Sequence, residues 1–222
     1  MKSHADASPD ERTQRLAEIA HHLRNPLTSV LAFSEALHDE VFGPVNAGQK
    51  QALASIRDCA RRQTAQIWEL MELWRLETAA CELNPEPCPA ATLLKTALGQ
   101  VADLAADRKV RLETKVQPEG QEVRGDMRLL GHLVTQLLAV VIYAADVNEV
   151  VWLRVNGPVF QAGTGGEAPV PELSDEALEG RLCKLCPVGL GLVRVIADLH
   201  GGTVIFAGPE AGGVQVTVSL PL

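Results

Sequence analysis

The chain has 222 residues, 46% of them hydrophobic, and carries a formal net charge of -8. That apolar content can bury one large core or two small ones, whereas an acidic balance with few basic clusters excludes a broad nucleic-acid surface, which depends on neutralising phosphates with Lys and Arg. The five cysteines are odd in number and scattered, which argues against a secreted disulfide framework and makes reduced thiols the expectation.

The first fifteen residues, MKSHADASPDERTQR, lack the apolar core of a signal peptide, and no charge-free apolar run reaches the roughly 18 residues of a membrane span. A cytoplasmic location without a membrane partner is expected. No sensor segment is expected before Ser3, and an input signal is expected to arrive through a partner protein, a linked gene product or the second domain itself. From about Asp10 to Val41, apolar residues at Leu16, Ile19, Leu23, Leu27, Val30, Phe33 and Leu37 recur every three or four positions. They predict one amphipathic helix about 45 Å long. Phe42-Gly43-Pro44-Val45-Asn46 supplies a turn, and Leu53, Ile56, Ala60, Gln63, Ile67, Leu70 and Trp74 then repeat the alternation as a coiled-coil seam. A hairpin of two such helices cannot cover both stripes by itself, which predicts a homodimer closing a four-helix bundle.

Three prolines in Asn84-Pro85-Glu86-Pro87-Cys88-Pro89 end the helical pattern and mark the expected domain boundary. The hairpin domain is expected over 10–82 and a second domain over 90–222. Within the latter the pattern predicts a helix at about Ala90 to Ala106, strands near Val110 to Val116 and Glu122 to Arg124, and a helix at about Asp126 to Ala144. A strand at Glu149 to Val155, a Gly-rich irregular stretch from Asn156 to Pro171, a helix at about Gly191 to Leu199, and strands at Thr203 to Ala207 and Val214 to Leu220 complete it. Strands interspersed with helices predict an α+β fold, a two-layer sandwich with helices on one face of a mixed sheet.

The segment His21-His22-Leu23-Arg24-Asn25-Pro26-Leu27-Thr28 is where chemistry is expected. Pro26 has no amide proton, so the carbonyl of His22 loses its helical partner and the helix should bend beside the histidines. An exposed imidazole, with a free lone pair and a pKa near neutrality, can accept a proton or a phosphoryl group. The alternative is that both histidines are ordinary surface residues and Pro26 only bends the helix.

Ile19-Ala20-His21-His22-Leu23-Arg24-Asn25-Pro26-Leu27-Thr28-Ser29-Val30 resembles the phosphoacceptor box of sensor histidine kinases. Gly189-Leu190-Gly191-Leu192-Val193-Arg194-Val195-Ile196-Ala197-Asp198-Leu199-His200-Gly201-Gly202 resembles the second glycine box of that family's ATP-binding domain, and Gly213 to Leu222 its final strand. These motifs in the right order, with a helical hairpin and a sandwich pattern around them, cover nearly the whole chain, which is identified as a family member with a phosphoacceptor hairpin and a GHKL-type ATPase-like domain.

Its departures fall on working positions. The family places a carboxylate directly after the phosphoacceptor as the base; here stands His22, a possible altered base. The family's magnesium-ligating Asn aligns with Val140 in Gln136-Leu137-Leu138-Ala139-Val140-Val141-Ile142-Tyr143, and an isopropyl group offers a hard cation no oxygen. Gln136, one turn earlier, is the partial substitute. The adenine-binding Asp-x-Gly-x-Gly has its best match in Gln161-Ala162-Gly163-Thr164-Gly165, with Asn156-Gly157-Pro158 as a rival turn, and Glu172 to Pro187 holds no aromatic residue for the nucleotide lid. Gly189 and Gly191 either cradle phosphate at a helix start or permit close packing. Each unreplaced polar contact costs ~1–3 kcal/mol, so ATP and magnesium are expected to bind weakly or not at all, and no metal site is assigned.

Asn25, one helical turn after His21, occupies the position where the family orients the water that dephosphorylates a response regulator; the alternative is that it merely precedes proline. Cys183-Lys184-Leu185-Cys186 is read as incidental to the remodelled lid, lacking a second ligand pair. His200, at a helix end, is expected to suit that terminus as a cation. The function implied is that of a degenerate histidine-kinase-like protein, acting by phosphotransfer or phosphatase chemistry at His21 and Asn25 toward a receiver domain, or by regulating a partner kinase. The alternatives are an ATP-dependent autokinase and a non-enzymatic scaffold.

Overall fold

Two long helices and a following sheet are the natural outcome of a pattern that shifts from a three-four repeat to alternation after residue 84. The computed structural model describes residues 9–78, 83–118, 120–165, 182, 186–207 and 213–221, and the chain divides into two units, Met1–Ala80 and Cys81–Leu222.

The first unit is a helical hairpin of α1 (Pro9–His38) and α2 (Ala47–Thr78). α1 runs through Pro26 without interruption. Beside the proline, Thr28 Oγ1 donates to the Arg24 carbonyl (3.1 Å) and Ser29 Oγ to that of Asn25 (3.4 Å). The turn ends in a reciprocal cap: the Asn46 amide donates to Gln49 Oε1 (2.8 Å) and the Gln49 amide to Asn46 Oδ1 (2.9 Å), satisfying two donors that a helix start leaves open. Lys50–Glu40 (2.8 Å) and Arg61–Glu35 (3.2 Å) pair across the hairpin.

The apolar stripe of α1 is divided in a way the spacing did not predict. The face toward α2 is the row Ala20, Arg24, Leu27, Leu31 and Ser34, with Ala20 and Ser34 buried. Ile19, Leu23, Val30, Phe33 and Leu37 stay exposed, as do Ile56, Trp68 and Leu70 of α2. The hairpin thus consumes one row and leaves a second apolar row uncovered.

In the second unit the proline run does not stay irregular. Glu86–Pro89 is β1, paired antiparallel with β3 (Glu122–Gly125), and Cys88 points inward from it, fully buried. Burial, with Glu86 nearby, pushes its thiol above the usual range. α3 (Ala90–Arg108), β2 (Arg111–Gln117), α4 (Met127–Ala144), β4 (Val150–Asn156), β5 (Val159–Thr164), α5 (Pro187–Leu199), β6 (Thr203–Ala207) and β7 (Gln215–Ser219) complete it. The main sheet has the order β2-β4-β5-β7-β6, parallel only between β2 and β4. β5 occupies part of the stretch expected to be irregular, and Asn156-Gly157-Pro158 is its hairpin turn, with Gly157 at φ 59°. α5 begins before the expected Gly191.

Register divides the sheet cleanly. Val151, Leu153, Val155, Phe160, Ala162, Val216 and Val218 point to the helical layer and are buried; Trp152, Arg154, Gln161, Gly163 and Thr217 lie on the other face. α4 is the centre of the layer, with ten buried side chains from Leu129 to Ile142. It is also the one helix among the described residues long and apolar enough to cross a membrane, a composition that burial in the core explains.

His200 ties the end of α5 to the start of α4. Its Nε2 accepts from the Asp126 amide (3.1 Å), while its Nδ1 faces the Ile196 carbonyl (2.8 Å), which can only accept. The ring is therefore the neutral Nδ1–H tautomer, contrary to the cation expected at this terminus.

Asp126 caps α4: its Oδ1 accepts from the Leu129 amide (3.0 Å) and its Oδ2 from the Asn84 amide (3.4 Å). Burial acts to raise its carboxyl, but these amide donors outweigh it and hold the group below the usual carboxylate range. A depressed folded value gives stability that is present above the unfolded pKa of about 3.9 and lost as pH falls through the folded one. Asp126→Ala is expected to lower unfolding free energy by about 1 kcal/mol at pH 7, with the difference shrinking below about pH 4 in urea titrations.

Candidate functional site

The phosphoacceptor segment lies on the open side of α1. His21, His22 and Asn25 are all exposed, and His21, Asn25 and Thr28 form one row because positions three and four apart share a helix face. The two imidazoles are 6.3 Å apart between centroids at 65°, too far to share a proton directly. Asn25 keeps its amide on the face of His21.

The residues expected around a nucleotide are only partly brought together. At the junction of α4 and α5, a Cβ built on Gly189 would lie 2.7 Å from both Gln136 Oε1 and Cys186 Sγ, and 3.7 Å from the Val140 side chain. Gly189 is thus glycine because the two helices touch there. Val140 is 1% exposed, so no space opens at the position where a metal-ligating oxygen would be needed. Pro187 opens α5 and removes one of the amides that a helix start could offer an anion. Gly191 follows within the first turns of α5, half-buried.

Gln161, Gly163 and Gly165 are not part of this junction. Gln161 lies on the opposite face of the sheet, its Nε2 3.5 Å from Thr217 Oγ1. A Cβ on Gly163 would lie 2.5 Å from the Trp152 ring, so this glycine is the bed on which that indole rests. Gly165, at φ 72°, ends β5 and donates its amide to the Val150 carbonyl at 3.0 Å. The helix-facing polar group at this strand end is Thr164, buried, whose Oγ1 accepts from the Val214 amide at 3.2 Å. Strand alternation through Phe160 and Ala162 is the signal that could have found it. Most of the expected lid from Glu172 to Pro187, including Cys183, lies outside the described residues.

As a ligand set the junction offers one neutral amide oxygen, a thiol and an isopropyl group. Magnesium carried by ATP takes most of its octahedral oxygens from phosphate and water and needs only one or two from the protein; at this junction the side-chain oxygen is Gln136 Oε1. At the position aligned with the family's metal-ligating Asn, the buried Val140 supplies no oxygen.

Comparison with known proteins agrees with the architecture. Residues 11–79 match the His Kinase A (phospho-acceptor) domain family. The chain is similar to a sensor-like histidine kinase of Rhizobium meliloti, described as uncharacterized, at 25% identity over 99% of this chain and 44% of that protein. It is also similar to the circadian input-output histidine kinase CikA of Synechococcus elongatus, at 24% identity over 98% of this chain and 31% of that protein. The solved structure of full-length ShkA in complex with AMPPNP superposes with a TM-score of 0.64 at 19% identity, over 94% of this chain and 45% of that one. The chain spans less than half the length of these curated relatives.

Val140→Asn tests the closed junction. An amide introduced into this apolar contact is expected to destabilise the protein by about 1–3 kcal/mol, and the loss should not be recovered on adding ATP and magnesium in thermal unfolding. Unchanged stability, or a magnesium-dependent rise in melting temperature, would show the joint to be open.

Proposed function

We propose that the chain, whose residues 11–79 match the His Kinase A (phospho-acceptor) domain family, is a sensor histidine kinase family member of two-component signal transduction that exchanges phosphoryl groups with a receiver domain at His21 instead of drawing them from its own ATP. The buried side chain of Val140 at the position aligned with the metal-ligating Asn carries this reading, because it offers a metal-bound nucleotide no oxygen there. The exposed side of α1 needs no such pocket. A lone pair of the His21 imidazole attacks phosphorus of a receiver's acyl phosphate, the P–O bond breaks, and the aspartate leaves as carboxylate. Asn25, on the same face, holds water by hydrogen bonds without itself titrating, which serves the competing hydrolysis.

Label supplied as a phosphorylated receiver domain is expected to appear on wild type in acid-labile form and to be absent from His21→Ala. Asn25→Ala should still accept label, while the phosphorylated receiver loses its label to water more slowly than it does with wild type. Label taken from radioactive ATP and magnesium by wild type, and not by His21→Ala, would instead establish an autokinase. An undiminished effect on the partner in both variants would leave only a scaffold.

The same reading includes a homodimer and a cytoplasmic location, without a nucleic-acid or membrane partner. The uncovered row Ile19, Leu23, Val30, Phe33 and Leu37, beside Ile56 and Leu70, supports the dimer, since a second hairpin laid on it completes a four-helix core. Leu23→Glu combined with Phe33→Glu is expected to halve the mass measured by light scattering while leaving helicity by circular dichroism intact; an unchanged mass would place the interface elsewhere.

A further inference from the structure

We propose that Glu18 is a positioning residue for His21, supplying from the preceding helical turn the carboxylate that position 22 lacks. The inference rests on the phosphotransfer reading above. Glu18 precedes His21 by three positions, and Glu18, His21, Asn25 and Thr28 form one exposed row of α1. Side chains at this spacing have Cβ atoms about 5–6 Å apart, within the reach of a glutamate to an imidazole N–H. Glu18 and His21 are also available to each other, since neither is held in a hydrogen bond or ion pair among the described residues. Among the residues whose exposure is described, the exposed cation close by on the same helix is Arg15, one turn earlier.

The chemistry gives such a carboxylate a definite task. Neutral imidazole has one N–H and one lone pair, and the partner of the N–H decides which nitrogen carries the lone pair. With its N–H directed to Glu18, His21 presents the other nitrogen to the acyl phosphate. Transfer forms the N–P bond, releases the receiver carboxylate and leaves the ring cationic; the retained N–H then faces the Glu18 carboxylate, which stabilises that charge. No proton has to be removed in this step, so the absence of a carboxylate at position 22 does not block it.

The test uses the full chain and two readouts. Long-range proton–nitrogen NMR of His21 is expected to show one dominant tautomer in wild type, a mixture in Glu18→Gln and a restored bias in Glu18→Asp. Phosphotransfer from a phosphorylated receiver domain is expected to lose about tenfold in kcat in Glu18→Gln with KM unchanged, and to recover partly in Glu18→Asp. An unchanged tautomer ratio and kcat in Glu18→Gln would overturn the proposal, as would a response confined to His22. Should wild type accept no phosphoryl group, the phosphotransfer reading fails, and the tautomer of His21 still decides whether Glu18 positions it.

Discussion

Helix α4 is apolar around nearly its whole circumference, and the rest of the second unit follows from having to enclose it. Ten of its side chains are buried, each large aliphatic one worth about 1.5–3 kcal/mol when removed from water. A helix with a single apolar stripe could lie on the sheet and face solvent; this one cannot. α3 and α5 flank it and the inner faces of β4, β5 and β7 lie beneath it. At its N-terminus the Asp126 cap and the neutral ring of His200 fix where it starts. The glycine at 189 belongs to the same requirement, since α5 could not approach α4 with a side chain there.

That enclosure has a chemical consequence. A site for a hard cation needs converging oxygens and room for water, while a stable helix joint needs matched apolar surfaces and no room at all. Position 140 serves the second requirement. Thr164 does likewise at the end of β5, where its amide and hydroxyl are both bonded to Val214. In the first unit the balance is reversed: the hairpin leaves its histidines, Asn25 and a complete apolar row in contact with solvent. Core formation governs one unit and surface presentation the other.

The sequence made the helices legible because their periodicity is sustained, and the ends of α1, α3 and α4 fall within three residues of where the pattern put them. It could not tell which of two adjacent rows on α1 meets α2, because both repeat at three and four and differ by one residue. Small residues decided it: Ala20, Ser34 and Ala60 are buried and let the backbones approach, where Ile19 and Phe33 would hold them apart. β1 was hidden by prolines, which are tolerated because the two-stranded ladder leaves one side of every strand unpaired. β5 was hidden by its glycines, and Gly163 is explained only by Trp152 opposite it in the register. Motif spacing likewise put Gln161 in a nucleotide site that strand alternation assigns to the other face of the sheet.

The pair of histidines can be understood from the same geometry of rows. At about 100° per residue, His22 falls on the side of α1 toward the exposed row from Ile19 to Leu37, and His21 falls away from it. A second hairpin covering that row would crowd position 22 while leaving position 21 open. A carboxylate there would face partial desolvation beside apolar side chains, and a neutral imidazole bears that at lower cost. Glu18 lies between the two histidines around the helix, on the solvent side, where its charge keeps its hydration. With an acid at 18 and none at 22, an apolar contact on that side would be compatible with a charged neighbour for His21, two demands that a carboxylate at position 22 would set against each other.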